Sequence, residues 1–277
     1  FKQKTAYEIG VRLVGSEMCI RDRKIAVLIK QVPSGDSPLR ISNDHLWLNE
    51  DNINFVTNES DAYAVEEALQ LREKSGDGEV VAVSFGPERT QRAIREALSK
   101  GADRGVHIEE SYPYSSDPLQ IATALSEALK KEQFDLILSG LQSDDYGFGQ
   151  VGVLLGEILG MTTATLVMAT ELSDGNKLKV KRELESGWFQ WVSLAFPASI
   201  SIQSGINTPR YPSLKGIMGA KKREIKLVAP ISETAPAQAI SRVYIPQKTK
   251  RTEMIEGTVD QQVERLAEVL KKEIRVV

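Results

Sequence analysis

From Lys24 onward the chain alternates short apolar runs with longer amphipathic ones. Lys24–Val32 is brief, β-branched and apolar, the mark of a buried strand, and Pro33, Gly35 and Pro38 close it. A polar stretch follows, with a small hairpin of Leu39–Ile41 against Leu46–Leu48. Ala62, Val65 and Leu69 recur at helical spacing and predict a helix over Ser60–Lys74, capped by Asn58 and stopped by Gly76 and Gly78. The same reasoning expects strands at Glu79–Phe85, Arg104–Ile108, Phe134–Ser139 and Thr165–Ala169. It expects helices at Glu88–Lys100, after Asp117-Pro118 with the stripe Ile121, Leu125, Ala128 and Leu129, and at Gln150–Leu159.

Strands that alternate with helices of this length predict an α/β fold, a doubly wound, mostly parallel sheet of Rossmann-like type. After Leu172 the period changes to two. Leu178 and Val180 alternate with lysines, Glu185-Ser186-Gly187 turns the chain, and Val192, Leu194 and Phe196 share a face. This predicts an added antiparallel hairpin. Strands at Ala198–Gln203 and Glu224–Val228 complete the sheet. The chain then loses its core-forming period and reads as an extended C-terminal arm, ending in an amphipathic helix over Val259–Ile274. Val263, Leu266, Val269, Leu270 and Ile274 form its inward stripe. The expected division is a leader over 1–23, an α/β domain over 24–229 and an arm with its helix over 230–277.

Composition narrows the chemistry. No apolar run approaches 18 residues, so no membrane insertion is expected. Cys19 is the single cysteine and His45 and His107 are the only histidines, so disulfide frameworks, multi-cysteine zinc sites and most histidine schemes lack parts. The formal net charge of −3 argues against a general nucleic-acid partner. Residues 1–23 are too polar for a signal peptide, and Glu8, Glu17 and Asp22 make them too acidic for a transit peptide. They resemble translated adapter sequence; an ordinary N-terminal helix is the alternative. Without them the chain has no cysteine and a charge of about −5.

The most informative stretch is Ser139–Leu155, SGLQSDDYGFGQVGVLL, which follows a buried strand and opens a helix. Ligands of open α/β sheets bind at the carboxyl ends of strands, and a helix N-terminus suits a phosphate. Gly147, Gly149 and Gly152 permit close backbone approach, Gln150 can donate to a phosphate or a base, and Asp145 can cap the helix or accept from ribose. Gly147–Gly152 also matches G-x-G-x-x-G, with Glu171 about twenty residues on, as a dinucleotide fingerprint requires. Leu141–Tyr146 separates those glycines from the strand, which weakens that match. Both readings place an adenine nucleotide phosphate at this helix; a loop that merely turns the chain is the alternative. His107 reads as a strand residue. Asp144-Asp145 lacks a third hard ligand, and Lys221-Lys222-Arg223 reads as a solvated turn. No nucleophile stands in a recognisable context, so a binding or carrier protein is expected rather than an enzyme.

An ordered series then carries a resemblance: Lys24–Pro33 (KIAVLIKQVP), Ala64–Leu71 (AVEEALQL), Val81–Pro87 (VAVSFGP), Arg95–Gly105 (REALSKGADRG), Asp135–Gly152 and Ile206–Ile225 (INTPRYPSLKGIMGAKKREI). Together they resemble the beta subunit of electron-transfer flavoprotein over about Lys24 to Val228. The resemblance implies a heterodimer in which an alpha subunit carries most of the FAD contacts and the beta subunit holds AMP. It implies AMP contacts at Leu28, at Asn58, Glu59, Ser60 and Asp61, at Phe85, and in the loop Gly140–Val151, which includes Gln142 and Asp145. It implies a docking loop over Ser204–Tyr211, with Ile206 as apolar anchor beside Asn207, Pro209, Arg210 and Tyr211. It further implies electron transfer from acyl-CoA or related dehydrogenases to electron-transfer flavoprotein quinone oxidoreductase and the quinone pool. The setting would be the bacterial or archaeal cytoplasm, or the mitochondrial matrix in a eukaryote, with the C-terminal arm embracing the alpha subunit. Two departures stand out: Asn58-Glu59 replaces the family's Asn-Pro, and the loop reads Ser143-Asp144-Asp145-Tyr146-Gly147. The Asp-Gly-Asp-Thr-Ala-Gln string of flavin-bifurcating members is absent, so AMP is favoured over a second FAD. The alternatives are a bifurcating member, an NAD-linked dehydrogenase and a nucleotide-sensing module without redox chemistry.

Overall fold

The computed structural model describes residues 23–110, 117–173, 177–229, 236–246 and 252–274. The expectation for the leader thus falls almost wholly outside the described residues. The chain divides after Val243 into an α/β unit and a smaller unit, Tyr244–Val277.

In the α/β unit, β1 (Lys24–Leu28) is followed by β2 (Gln31–Pro33), β3 (Phe55–Thr57), α1 (Glu59–Ser75), β4 (Glu79–Gly86), α2 (Gln91–Lys100), β5 (Arg104–Glu109), α3 (Pro118–Leu129), β6 (Leu136–Gly140) and α4 (Val151–Ile158). Next come β7 (Thr162–Ser173), β8 (Lys177–Glu183), β9 (Phe189–Ala195), β10 (Ala198–Ile202), α5 (Leu214–Ala220) and β11 (Ile225–Val228). Nine strands form one sheet in the order β11-β5-β4-β1-β6-β10-β7-β8-β9. The run from β11 to β7 is parallel, and β8 and β9 add the antiparallel hairpin. The doubly wound, mostly parallel α/β architecture is therefore present.

The strand period of two builds the two layers. Ile25 and Val27 of β1 join one core with Ala64 and Leu69 of α1 and Ile94 and Leu98 of α2. Ala26 and Leu28 face the other, with Ala122, Leu125 and Leu129 of α3 and Leu155 of α4. Leu178 and Val180 continue the first core from the hairpin, opposite Leu194 and Val192. The outer face of the hairpin is basic and aromatic: Lys179 lies over Trp191 at 4.5 Å and Lys181 over Phe189 at 4.1 Å.

Several expectations need correction. Lys24–Val32 is not one strand: β1 ends at Leu28, and β2 pairs with β3 in a separate two-stranded sheet. The hairpin near residue 45 reduces to a single bridge, Ile41 with Leu48. Thr165–Ala169 is the middle of a twelve-residue strand whose register shifts beside Leu166, where φ is +58°. Arg223 is not solvated; its guanidinium donates to Leu98 C=O (2.9 Å) and to Ala102 C=O, tying the turn before β11 to the end of α2. His107 is buried in β5 with Nε2 2.8 Å from Gly86 C=O, as a strand residue should be.

Beyond residue 229, the described part of the arm starts on the α/β unit. Ala237 N–H donates to Asp117 Oδ2 (2.6 Å) and Val243 N–H to His45 C=O (2.7 Å). In the second unit α6 (Val259–Glu268) opens on a capping box: Thr258 N–H donates to Gln261 Oε1 at 3.0 Å, and Gln261 N–H donates back to the threonine hydroxyl. The helix relaxes into a π turn over Val269–Ile274. Within this unit nothing covers the expected inward stripe: Val263, Leu266 and Ile274 are exposed, and Val269 and Leu270 are half-buried.

One carboxylate gathers the amino end of the sheet. Glu132, just after α3, receives Lys24 Nζ at 2.6 Å, Arg104 at 2.8 Å and Lys226 at 3.5 Å, from β1, β5 and β11. The Lys24 hydrogen bond and the Arg104 charge hold its pKa down at about 2. A depressed carboxylate contributes stability that is present above its unfolded value of 4.5 and is lost as pH falls through about 2. Glu132→Gln should therefore cost about 1 kcal/mol at pH 7, a figure discounted for partial solvent screening. Urea denaturation should show that difference shrinking steadily from pH 4.5 downward; a difference independent of pH would contradict the assignment.

Candidate functional site

In this topology the chain steps from β1 to β4 to β5 on one side and then crosses to β6 on the other side of β1. The strand order reverses between β1 and β6, and such a switch point opens a crevice at the strands' carboxyl ends. A cavity of about 650 Å³ lies there.

The crevice is held open by a buried carboxylate. β1 and β6 pair through Ile25–Val27 and Leu136–Leu138 and then diverge. Asp61, in the first turn of α1, reaches between them: Oδ2 accepts from Lys30 N–H at 2.8 Å and Oδ1 from Gly140 N–H at 2.9 Å. Gly140 is required here, because a Cβ would overlap Asp61 Oδ1 and Ser60 Oγ. Burial pushes the Asp61 carboxyl up to about 7, against the pull of those two N–H groups.

A second set of bonds positions the glycine-rich loop. Asn58 was expected to cap α1, but its side chain crosses to the loop instead. Its Nδ2 donates to Gln142 C=O (3.0 Å) and to Ser60 Oγ (3.0 Å), and its Oδ1 accepts from Asp144 N–H (2.9 Å). Ser60 Oγ donates to the same Gln142 carbonyl at 2.8 Å, and Asp144 Oδ2 accepts from Glu59 N–H at 3.2 Å. The helix start is thus capped by a residue from the loop it holds.

Lys30 and Asp145 form an ion pair at 2.7 Å on the cavity wall. Lys30 Nζ also lies 4.5 Å from the Tyr146 ring centre. Trp47, Tyr146 and Phe148 make an aromatic ledge, with Tyr146 stacked on Phe148 at 5.6 Å. Burial and the neighbouring Asp145 and Glu110 charges raise the Tyr146 hydroxyl well above the usual phenol range, so it stays protonated. Arg89 bonds Gln31 Oε1 (2.9 Å) and Glu50 (3.0 Å) while lying over Phe55. Leu28, Val83, Phe85, Ile121 and Leu125 supply an apolar wall. α4 starts at the cavity. Its first intrahelical bond runs from Leu154 N–H to Gln150 C=O, leaving the N–H groups of Val151, Gly152 and Val153 without intrahelical partners. Gly152 allows this turn to sit directly on Ser139, whose Oγ a Cβ would overlap.

Of the expected site residues, Leu28, Asn58, Asp61, Phe85, Gly140, Gln142, Asp145, Gly149, Gln150, Val151 and Gly152 line the cavity. Glu59, Ser60 and Gly147 do not; the first two brace the loop, and Gly147 closes a turn onto Ser143 C=O. Ser139, the first residue of the glycine-rich stretch, lines it too; Lys30, Arg89, Trp47 and Thr90 also line it and were missed. Their positions depend on contacts between distant segments, which no local motif signals. Glu171, the acid of the dinucleotide fingerprint, stands on β7, 3.4 Å from Lys179, and is not among the lining residues.

In the expected docking loop, Ile206 is half-buried and packs on the core. Asn207 Nδ2 donates to Tyr63 C=O (3.1 Å) and Glu67 (3.0 Å). Arg210 pairs with Glu66 (2.8 Å) and Glu73 (2.6 Å), and those two carboxylates raise its pKa further. Pro209 is half-buried, and Tyr211 is 96% exposed. Among the described residues no cluster of three or more metal-ligating side chains occurs, and no helix is long and apolar enough to cross a membrane.

Because the Asp61 carboxyl is raised, the folded state holds a proton that the unfolded chain, with a value of 3.8, releases. This contribution to stability is full below about 4 and lost as pH rises through about 7. Denaturation at successive pH values should show a decline of up to about 1.4 kcal/mol per pH unit across that window. Asp61→Asn should flatten it. An unchanged slope in the variant would assign the proton elsewhere.

Residues 45–233 match the Electron transfer flavoprotein domain family. The chain is 36% identical to the electron transfer flavoprotein subunit beta of Methylophilus methylotrophus over 260 residues, covering 90% of this chain and 98% of that protein. It is 39% identical to the subunit of that name from Mycobacterium bovis over 209 residues, covering 74% and 78%. It is 35% identical to the human one over 233 residues, covering 82% and 90%.

Proposed function

We propose an electron-carrier role from one premise: the chain belongs to the electron transfer flavoprotein family, as a beta subunit. A beta subunit works with an alpha subunit, and the flavin of the pair supplies the redox chemistry. In our reading that flavin is FAD, held mainly by the alpha subunit. This chain contributes a rigid α/β body, an adenine nucleotide site and a docking surface. Electrons pass from acyl-CoA or related flavin dehydrogenases, through the pair, towards electron-transfer flavoprotein quinone oxidoreductase and the quinone pool.

The observation that carries the nucleotide part is the cavity at the β1/β6 switch point. It offers an apolar wall for a base and unpaired N–H groups at the start of α4 for a phosphate. The wall favours a single phosphate. Its cations, Lys30 and Arg89, are already paired, while Glu50, Glu88, Glu110 and Asp145 bring negative charge. AMP fits this balance better than a nucleotide carrying more phosphates, and the bound nucleotide would serve structure rather than electron transfer.

The heterodimer purified intact should release one flavin and one AMP when its nucleotides are extracted and separated by chromatography. Two flavins and no AMP would replace this reading with a flavin-bifurcating one. For docking, Ile206→Ala should slow electron transfer from a dehydrogenase severalfold at unchanged flavin content, because loss of a single anchor weakens a transient complex. An unchanged rate would remove Ile206 from that role.

A further inference from the structure

The segment 203–213, between β10 and α5, forms neither helix nor strand. Among the described residues, none of 204–212 makes a backbone–backbone hydrogen bond. Side chains hold the segment instead, and α1 receives them. Arg210 N–H donates to Glu66 Oε2 at 3.1 Å, its Nε to the same oxygen at 2.8 Å and its Nη2 to Glu66 Oε1 at 3.0 Å. Its Nη1 and Nη2 also reach Glu73 Oε1 (2.6 Å) and Oε2 (3.1 Å). Glu66 and Glu73 stand about two helical turns apart, so both carboxylates lie on one face of α1. Glu67 receives Asn207 Nδ2 at 3.0 Å and the Thr170 hydroxyl from β7. Glu66 and Glu67 are both buried.

A cation in a docking loop would ordinarily steer and bind an acidic partner. Arg210 is placed differently. It lies between two carboxylates, so the trio is negative overall and offers a partner no positive charge. Resting on the docking reading above, we propose that Arg210 is a positioning residue: it latches the docking loop to α1 through Glu66 and Glu73 and does not itself bind the dehydrogenase. The latch orders the loop before a partner arrives. An ordered loop gives up less conformational freedom on docking, and this matters most for a small, transient interface. Arginine is needed for this, because a lysine ammonium is a point charge without the planar fork that engages both carboxylates at once.

The test uses the intact heterodimer as electron acceptor for an acyl-CoA dehydrogenase, and measures KM for the heterodimer, kcat and flavin content. Arg210→Gln makes the trio more negative and Glu66→Gln makes it less so. Steering by charge would therefore shift KM in opposite directions in the two variants. A broken latch shifts it the same way: KM should rise about fivefold in both, with kcat and flavin content close to the parent's. The double variant should be no worse than either single one, because one interaction is lost in all three. Arg210→Lys keeps the charge and should still show most of the rise. If Glu66→Gln does not assemble, Glu73→Gln, at an exposed position, gives the same contrast of charge against direction. Opposite shifts in KM, parent-like behaviour of Arg210→Lys, or a fall in kcat with loss of flavin overturns this proposal. So does a parent-like KM in Arg210→Gln and Glu66→Gln while Ile206→Ala raises it, which leaves the docking reading standing. A parent-like KM in all three variants, or a parent heterodimer that accepts no electrons from the dehydrogenase, overturns the docking reading itself, and this proposal with it.

Discussion

A buried carboxylate spans the crevice at which the strand order reverses. Asp61 accepts one N–H from the chain leaving β1 and one from the end of β6, and neither group has a strand partner there. Without an acceptor, each would be a buried, unpaired donor in a low-dielectric site. With it, the two strand ends are held apart at a width set by one carboxyl group. Burying that group is costly, and burial raises its pKa for the same reason. Its position in the first turn of α1 offsets part of this, because the helix start favours negative charge. Gly140 completes the arrangement, since no side chain fits between its Cα and the Asp61 carboxylate.

The rest of the site follows from that fixed width. Once β1 and β6 are splayed, the loop after β6 must span the opening, and Asn58, Ser60 and Asp144 bind it to the start of α1. The loop then delivers α4 with its free N–H groups towards the cavity. Charge is neutralised within the wall by pairs such as Lys30 with Asp145 rather than left for a ligand. A rigid scaffold with a pre-formed pocket suits the proposed role, in which the redox chemistry belongs to a flavin held mainly by the partner subunit. Exposed apolar side chains lie elsewhere: Phe189 and Trp191 on the outer face of the hairpin, Trp188 at its turn, and the stripe of α6.

Much of the fold is legible in the sequence because two periods dominate it. The run of Ile25, Ala26, Val27 and Leu28 is a strand buried on both faces, and its residues alternate between the two cores. Asp117 and Pro118 open α3 as read, with Asp117 accepting from Leu119 N–H at 3.0 Å. The failures have common causes. Lys24–Val32 reads as one strand because the apolar run continues past Leu28. The break is made by Asp61, thirty-one residues away, taking the Lys30 N–H. β3 is three residues long and α5 is seven with two glycines, so neither carries a period. Asn58 reads as a cap because helix starts favour asparagine, yet its partner Gln142 lies 84 residues on. Lys30, Trp47, Arg89 and Thr90 are ordinary residues in sequence; only the fold brings them to the cavity wall.

We propose that the β1/β6 crevice of this chain is an adenine nucleotide site. A crystal structure of the heterodimer, purified without added nucleotide, tests it most directly. Electron density is expected for one adenine against the apolar wall of Leu28, Val83 and Ile121, and for a single phosphate at the N–H groups of Val151, Gly152 and Val153. A crevice filled only by water, or by a second isoalloxazine ring, would contradict it.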